Sequence, residues 1–262
     1  MEDKKPILEE LDPDLVGHMT SRRDVIQKAS VMVGALATTP ISFGALSGTA
    51  FGQDMKLPGK IVDVLNFALT LEFLEDEFYR TAVGSSGLIP RETRDVFEQI
   101  AKHERAHVNL LKSVLGSKAG PKPNFDFTAG GAFADVFSNY QTFLAVSQAF
   151  EDTGVRAYKG QAGNLASNAK ILTTALQIHS VEARHAAQVR RIRGDKGWIT
   201  ADSRGSLPAP TQPIYNGEGN TKQGGADLAG LAGLSTAAVT ESFDEPLSKD
   251  EVLAIAKLFI KS

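Results

Sequence analysis

Apolar side chains recur at alternating steps of three and four residues in four segments of the chain. The first two stripes consist of Ile61, Leu65, Ala68, Glu72, Glu75 and Tyr79, and of Phe97, Ile100, Glu104, His107, Leu111 and Val114. The last two consist of Phe137, Tyr140, Leu144, Ser147, Glu151, Gly154 and Tyr158, and of Ile171, Ala175, Ile178, Glu182, His185, Val189 and Ile192. This spacing places each set on one face of a helix, so the chain is predicted to form four amphipathic helices packed through these faces.

Each stripe is interrupted near its middle by side chains that bind metal ions. Four packed faces would bring four or five carboxylates and two imidazoles into one dry centre. Unpaired ionised carboxylates cost several kcal/mol each in such a place, and no Lys or Arg occupies any of the four stripes. The pattern therefore favours a bound cation over a buried salt bridge.

The segments also form an internal repeat of a helical hairpin. In each half a Glu, and a Tyr two turns later, precede a Glu-x-x-His pair: Glu72, Tyr79, Glu104 and His107 in the first half, and Glu151, Tyr158, Glu182 and His185 in the second. The two side chains of a Glu-x-x-His pair lie one turn apart on one face, so an oxygen and a nitrogen donor can reach one ion. One such pair is common in ordinary helices, but two in core seams indicate a metal site.

Position along the seams suggests a role for each candidate ligand. Glu104 and Glu182 lie in mid-seam and share a turn with a His, so they are the candidates to bridge two ions. His103 lies off the seams and is predicted to be at the surface or outside the ligand set. Each ion would also take one neutral imidazole and one terminal carboxylate, from His107 and His185 and from Glu72 and Glu151.

Four stretches of the chain carry a resemblance to a known family: LNFALTLEFLEDEFY, HERAHVNLL, VEARHAAQV and SFDEPLSKDEVLAIAKLFI. They resemble the ferritin-like superfamily, in the exported bacterial branch grouped with desiccation-related proteins. The resemblance covers about residues 57–195 in its metal-site part. It implies an all-α, ferritin-like four-helix bundle with one long crossover, which binds two Fe or two Mn ions. It also implies a small oxidant, O2 or hydrogen peroxide, as substrate and allows a homo-oligomer.

Three further residues are candidates for catalytic roles. Tyr79 and Tyr158 are core aromatics that hydrogen-bond a ligand, or redox-active residues. Glu75 is where the repeat breaks, because its counterpart is Gly154. Two divalent ions balance four carboxylates, so Glu75 is either an additional ligand or a protonated acid that relays protons. The gap at Gly154 is a candidate approach for the oxidant.

Composition agrees with a globular exported protein. The chain has 262 residues, 42% of them hydrophobic, a formal net charge of -3 and no cysteine. It can bury a full core, and its charge gives no reason to expect nucleic acid or an anionic membrane surface as a partner. Without cysteine it has no disulfide, no Cys-ligated iron–sulfur centre and no thiol nucleophile, so electrons must come from an external donor.

The chain is predicted to divide into three parts. Residues 1–53 have the form of a twin-arginine (Tat) export signal, because SRRDVIQK at 21–28 precedes an uncharged run at 31–52. Cleavage after this run would leave a periplasmic or extracytoplasmic protein without a stable membrane anchor. Uncleaved, the run of about 22 residues is long enough to span a bilayer. Residues 54–197 are predicted to form the bundle and residues 198–262 an arm with a short helix docked on it, and Met19 is an alternative start.

Turn and capping residues delimit the predicted helices. Gly116–Gly131 has no period and can run the length of a helix of about 25 residues, as a long crossover requires. The third helix is predicted to start near Ala132. In the arm, Ser248 is a predicted N-cap for a helix through Phe259, and Glu251 would complete a capping box.

Three functions fit this reading of the sequence. The first is a redox enzyme whose two metals act on O2 or hydrogen peroxide in stress protection, and this is the reading we favour. The second is iron oxidation and storage, which requires a hollow oligomer. The third is a protective protein in which the metals only staple the bundle. Iron and manganese both accept this set of carboxylates and imidazoles.

Overall fold

The computed structural model describes residues 57–261, and the predicted export signal lies outside them. The long helices of this part are α1 Gly59–Gly84, α2 Arg91–Leu115, α3 Tyr140–Ala162 and α4 Ala169–Ile192. The arm contains a two-stranded antiparallel ribbon and two short helices: β1 Lys222–Gln223, β2 Ala226–Asp227, α5 Thr236–Thr240 and α6 Lys249–Ala256. Short 3-10 helices span Gly116–Lys118, Gly163–Leu165, Ala209–Ile214 and Leu231–Gly233.

The four long helices pack as two hairpins, α1 with α2 and α3 with α4. Further contacts join α1 to α3 and α2 to α4, which closes the bundle. Residues between Gly116 and Asn139 connect the two hairpins and form the single long crossover. The predicted all-α bundle is therefore confirmed.

Local residues explain where the helices begin. Pro58 and Pro90 precede α1 and α2 with φ values of -57°, which the proline ring fixes in an orientation that leads into a helix. Asn139 and Asn168 precede α3 and α4, and each accepts backbone N–H bonds of the first turn through its side chain. The apolar stripes that follow are buried, so the core lies along the seams of the bundle.

The third helix begins at Tyr140, so the prediction of a start near Ala132 is wrong. The segment before it is a series of turns, in which Ala129, Gly130 and Gly131 have positive φ values of 47°, 65° and 99°. Left-handed backbone interrupts a helix. Phe137, which the stripe had placed on the helix, packs on the core from this turn segment.

The C-terminal arm is docked on the bundle through α6. Ser248 and Glu251 form the predicted capping box, which is confirmed, but the helix ends at Ala256 and a turn continues to Phe259. The backbone of Phe259 accepts a hydrogen bond of 2.8 Å from the N–H of Asp126 in the crossover. No helix within residues 57–261 is both long and apolar enough to cross a membrane.

Candidate metal centre

All six candidate ligands meet in the middle of the bundle. They are contributed by all four long helices, and each is buried. The four glutamates have no exposed surface, and the exposed fractions of His107 and His185 are 8% and 5%. The residues are Glu72 on α1, Glu104 and His107 on α2, Glu151 on α3, and Glu182 and His185 on α4.

The imidazole of His107 faces three carboxylates through its Nδ1 atom. This nitrogen lies 3.2 Å from Glu72 Oε2, 3.2 Å from Glu104 Oε2 and 3.1 Å from Glu182 Oε1. The three carboxylates come from α1, α2 and α4. One half of the centre is therefore a cluster of three oxygens and one nitrogen.

His185 is the matching imidazole of the other half. Its Nδ1 atom lies 3.0 Å from Glu104 Oε1, 3.3 Å from Glu151 Oε2 and 3.3 Å from Glu182 Oε2. Glu104 and Glu182 therefore each turn one oxygen to each imidazole. They are the two carboxylates that the halves share.

Several ligand atoms in this centre are buried without a hydrogen bond. Within the described residues these atoms include Glu104 Oε1, Glu151 Oε2, both carboxylate oxygens of Glu182, and His185 Nδ1. The six candidate ligands form two groups of four residues, and within each group the ligand atoms lie within 4.8 Å of one another. Both groups contain Glu104 and Glu182. Buried oxygens and nitrogens that converge without hydrogen-bond partners fit cations. The arrangement is compatible with a dinuclear metal site.

The pKa values show how the centre holds protons when no ion is bound. Burial and the Glu182 charge raise the pKa of Glu104 to about 8, and burial raises the pKa of Glu151 to about 7. Burial alone would also raise the pKa of Glu182, but the imidazoles of His107 and His185 beside its oxygens lower it to about 2. Burial lowers the pKa of both imidazoles, yet the surrounding carboxylates outweigh it and raise both pKa values far above their usual range. Metal ions would therefore have to displace protons.

Two tyrosines connect the hairpins at the centre. The Tyr79 hydroxyl donates a hydrogen bond of 2.5 Å to Glu151 Oε1, and the Tyr158 hydroxyl donates to Glu72 Oε1. Each tyrosine thus holds the terminal carboxylate of the other hairpin. Burial, and then the charges of these carboxylates, raise both tyrosine pKa values well above 10.

Glu75 lies beside the centre but outside both groups of ligand atoms. It is 3% exposed, and burial followed by the charges of Glu182 and Glu151 raises its pKa well above the usual value. A Cβ atom on Gly154 would lie 3.4 Å from Glu75 Oε1, so the Glu75 carboxyl fills part of the gap predicted there. A cavity of about 10 Å³ lies beside them, and on the side of the arm it is lined by Ile255, Ala256 and Phe259.

A second cavity, of about 20 Å³, lies between all four helices near Tyr158. Its wall is apolar and includes Leu65, Leu111 and Ile178. Tyr158 lines this cavity, and its hydroxyl donates to Glu72, so Tyr158 separates the cavity from the centre. It can accept a small apolar molecule.

Sequence reasoning did not identify a buried charge network between the second hairpin and the arm. Arg190 Nη2 lies 2.5 Å from Asp152 Oδ2, and the Tyr215 hydroxyl donates a hydrogen bond of 2.7 Å to the same oxygen. Arg156 is 1% exposed and lies 2.7 Å from Glu218 Oε1 in the arm. These residues lie off the apolar stripes, where a charged residue is ordinarily predicted to be solvated. No spacing rule links them to the arm.

His103 contacts the centre from outside. Its Nδ1 atom lies 2.9 Å from His185 Nε2, and the two rings stack with centroids 5.2 Å apart. The sequence placed His103 outside the ligand set, and the structure adds that it touches a candidate ligand.

Comparison with protein families is in agreement with this architecture. Residues 60–195, more than half of the chain, match the model of the ferritin-like domain. The matched segment contains the four long helices, apart from the first residue of α1, and all six residues of the centre. A comparison with curated proteins finds no match. This chain belongs to the ferritin-like domain family.

Proposed function

We propose that this protein binds two Fe or two Mn ions in its bundle and acts as an oxidoreductase on O2 or hydrogen peroxide in stress protection. The observation that carries the proposal is the pair of four-residue groups that share Glu104 and Glu182. Two ligand groups with two common carboxylates suit two neighbouring ions. A single structural ion would need only one of these groups.

The six residues would have different roles in metal binding. Glu104 and Glu182 would bridge the ions, since each has one oxygen beside each imidazole. The remaining ligands would serve one ion each: Glu72 with His107, and Glu151 with His185. When bound, Fe or Mn ions supply redox chemistry toward the oxidant and the positive charge that balances four carboxylates.

The residues around the ligands would control protons and geometry. Tyr79 and Tyr158 hold one oxygen of each terminal carboxylate, so they would leave the other oxygen directed at the centre. Their raised pKa values keep them protonated, which favours this holding role. Burial raises the pKa of Glu75, which favours the protonated form of this carboxyl, so it could give a proton to a reduced oxidant. Its place outside both ligand groups favours this relay over a role as an additional ligand.

Two features support access for a small oxidant. The cavity beside Gly154 borders Glu75, and the apolar cavity near Tyr158 lies one turn further along α3. A Gly154→Leu variant should fill the first route. Unchanged turnover at intact metal content in that variant would rule out approach at Gly154.

The sequence also supports export through the Tat pathway to the periplasm. Tat carries folded proteins, so the ions could be loaded in the cytoplasm before export. Replacement of Arg22 and Arg23 by Lys should keep the protein in the cytoplasm. Normal export of that variant, measured by cell fractionation, would contradict this part of the proposal.

Metal analysis followed by turnover tests the whole proposal. Protein from its native export route would be analysed for metals by mass spectrometry and then assayed with peroxide and with ferrous iron. Two Mn per chain with oxygen release would indicate a catalase-type enzyme, and two Fe with ferrous oxidation would indicate an oxidase or ferroxidase. Two ions per chain without turnover would indicate a structural staple. Less than one ion per chain, not restored by added Fe or Mn, would overturn the dinuclear site itself.

A further inference from the structure

The two halves of the centre differ at one position that touches an imidazole. In the first hairpin His103 immediately precedes Glu104, and in the second hairpin Val181 immediately precedes Glu182. The repeat makes these two positions equivalent. One of them carries two ring nitrogens and the other carries none.

From this position His103 contacts His185, the candidate histidine ligand on the opposite hairpin. Its Nδ1 atom is 2.9 Å from His185 Nε2, on the side of the ring away from the carboxylates. Its other nitrogen, Nε2, is 2.7 Å from the side-chain amide nitrogen of Gln99, one turn earlier on α2. An exposed amide, a half-buried imidazole and a buried imidazole therefore form a continuous hydrogen-bonded chain into the centre.

The hydrogen bonds that link Gln99, His103 and His185 have a definite direction once His185 faces a cation. If Nδ1 of His185 gives its lone pair to an ion, its proton must be on Nε2, and Nε2 must be the donor to His103 Nδ1. His103 then carries its own proton on Nε2, and the exposed Gln99 amide must turn so that its Oε1 oxygen accepts this hydrogen bond in place of the Nε2 donor that lies 2.7 Å away. In this arrangement His103 Nδ1 is the acceptor that holds His185 in the tautomer and ring orientation that metal binding needs.

His107 has no corresponding partner. Within residues 57–261 its hydrogen bonds all involve Nδ1, on the side of the carboxylates. The residue at the repeat-equivalent position is Val181, which has no side-chain donor or acceptor. His107 must therefore be oriented by packing and by its carboxylate neighbours alone.

We infer that His103 is a positioning residue that makes the two metal sites unequal, so that the ion beside His185 binds first and more tightly. This inference rests on the proposed dinuclear site and adds an order of filling to it. Outer partners of metal-binding histidines contribute about 10-fold to 100-fold to metal affinity. We expect a difference of about tenfold, since a neutral imidazole is a weaker acceptor than a carboxylate.

Titration of the metal-free full-length chain with Mn²⁺ tests the inference without any turnover. Calorimetry and the electron paramagnetic resonance signal of free Mn²⁺ should show two steps that differ by about tenfold in affinity. His103→Val should weaken the tighter step by about tenfold and leave the weaker step unchanged, so the two steps merge. His103→Asn should restore much of the difference, because its side-chain oxygen can accept the same hydrogen bond.

Two further measurements separate positioning from a loss of folding. In the Zn²⁺-loaded protein, nitrogen-15 NMR should show the His185 proton on Nε2 in the parent and in His103→Asn, but shifted or lost in His103→Val. Val181→His supplies the missing partner by the logic of the repeat, so it should tighten the weaker step.

The possible outcomes are distinct. Equal steps in the parent, or a His103→Val variant that weakens both steps alike, would overturn the order of filling and leave the dinuclear site standing. Failure of the parent to bind any Mn²⁺, Fe²⁺ or Zn²⁺ would overturn the proposed function and this inference together.

Discussion

The two hairpins of the bundle are alike at their centre and different around it. Each supplies a terminal Glu, a Tyr and a Glu-x-x-His pair, and each Tyr binds the terminal Glu of the other hairpin. Around the centre, Glu75 faces Gly154, and His103 has Val181 as its counterpart. The duplicated part is the part that a pair of cations would require, and the unpaired residues are those that could distinguish one ion or one side from the other.

The two hairpins each carry a buried aspartate that pairs with arginine, and the arm covers only the pair on the second hairpin. On the first hairpin, Asp76 pairs with Arg80 and Arg105, whose side chains are 46% and 45% exposed. On the second, Asp152 pairs with Arg190, whose side chain is 7% exposed, beneath Tyr215 of the arm. A buried aspartate therefore has exposed arginine partners on one hairpin and a buried arginine partner on the other.

The largest effect should follow from loss of a shared carboxylate. Glu104→Gln and Glu182→Gln should each lower the affinity for both ions by more than about 100-fold, since each residue belongs to both ligand groups. Glu72→Gln should weaken only one of two binding steps. Calorimetric titration with Mn²⁺ would measure the steps.

Glu98→Gln is the matched control for these variants, because Glu98 also lies on α2 but is half-exposed and pairs with Arg94. It should leave both steps unchanged. If Glu104→Gln and Glu72→Gln gave the same loss, Glu104 would not be a shared ligand.

Removal of one arginine from each hairpin should show the difference between a buried arginine partner and an exposed one. Arg190→Met leaves Asp152 buried without its cation and should lower the free energy of unfolding by about 3–5 kcal/mol. Arg105→Met should lower it by less than about 1 kcal/mol, because Arg105 is 45% exposed and Arg80 remains to pair with Asp76. Urea denaturation of the metal-free proteins would measure both values, and equal losses would contradict the difference in burial.

The same contrast shows what the sequence could predict. Heptad spacing fixes which side chains share a helix face, so the metal centre could be predicted from the sequence. All six candidate ligands are together in the structure. The Arg190–Asp152 pair could not be found that way, because its burial depends on an arm without periodicity that lies far along the chain. The start of the third helix was misplaced because an apolar Phe137 in a turn fits a helical stripe as well as one in a helix does.

Glu104 and Glu182, the two carboxylates common to both groups, should respond to pH in opposite ways in the metal-free protein. The pKa of Glu104 is raised from 4.5 to about 8, so the folded state holds its proton more tightly, and its contribution to stability falls as pH rises from 4.5 to 8. The pKa of Glu182 is lowered to about 2, so its contribution is present above pH 4.5 and is lost as pH falls toward 2.

Each additional proton on the folded state changes the free energy of unfolding by about 1.4 kcal/mol per pH unit. Glu151, with its pKa raised to about 7, acts in the same direction as Glu104. Thermal unfolding at several pH values should therefore show the metal-free protein losing stability from pH 5 to 8. Carbon-13 NMR of the glutamates should show Glu104 titrating near 8, and a Glu104 that titrates near 4.5 would contradict its burial beside Glu182.

The smallest effect should come from Gly154→Ala on α3. A Cβ atom there would lie 3.4 Å from Glu75 Oε1 and 3.6 Å from Glu182 Cγ, which are ordinary contact distances. Alanine favours a helix interior over glycine by about 0.5–1 kcal/mol, so the variant should be slightly more stable and should bind the same amount of metal. Gly160→Ala on the same helix is the control, because its Cβ would overlap the Leu247 carbonyl oxygen of the arm and should destabilise the protein.

Urea denaturation of these two variants would show which glycine the fold requires. A stabilised Gly154→Ala beside a destabilised Gly160→Ala means that Gly160 is needed for the arm to dock and that Gly154 is not needed for folding. The absence of a side chain opposite Glu75 would then reflect a need of the centre and not of the packing of α3. If Gly154→Ala were destabilised as strongly as Gly160→Ala, the space beside Glu75 would be a packing requirement of the fold. The presence of Gly154 in the second hairpin, where the first has Glu75, would then not support approach of the oxidant at that position.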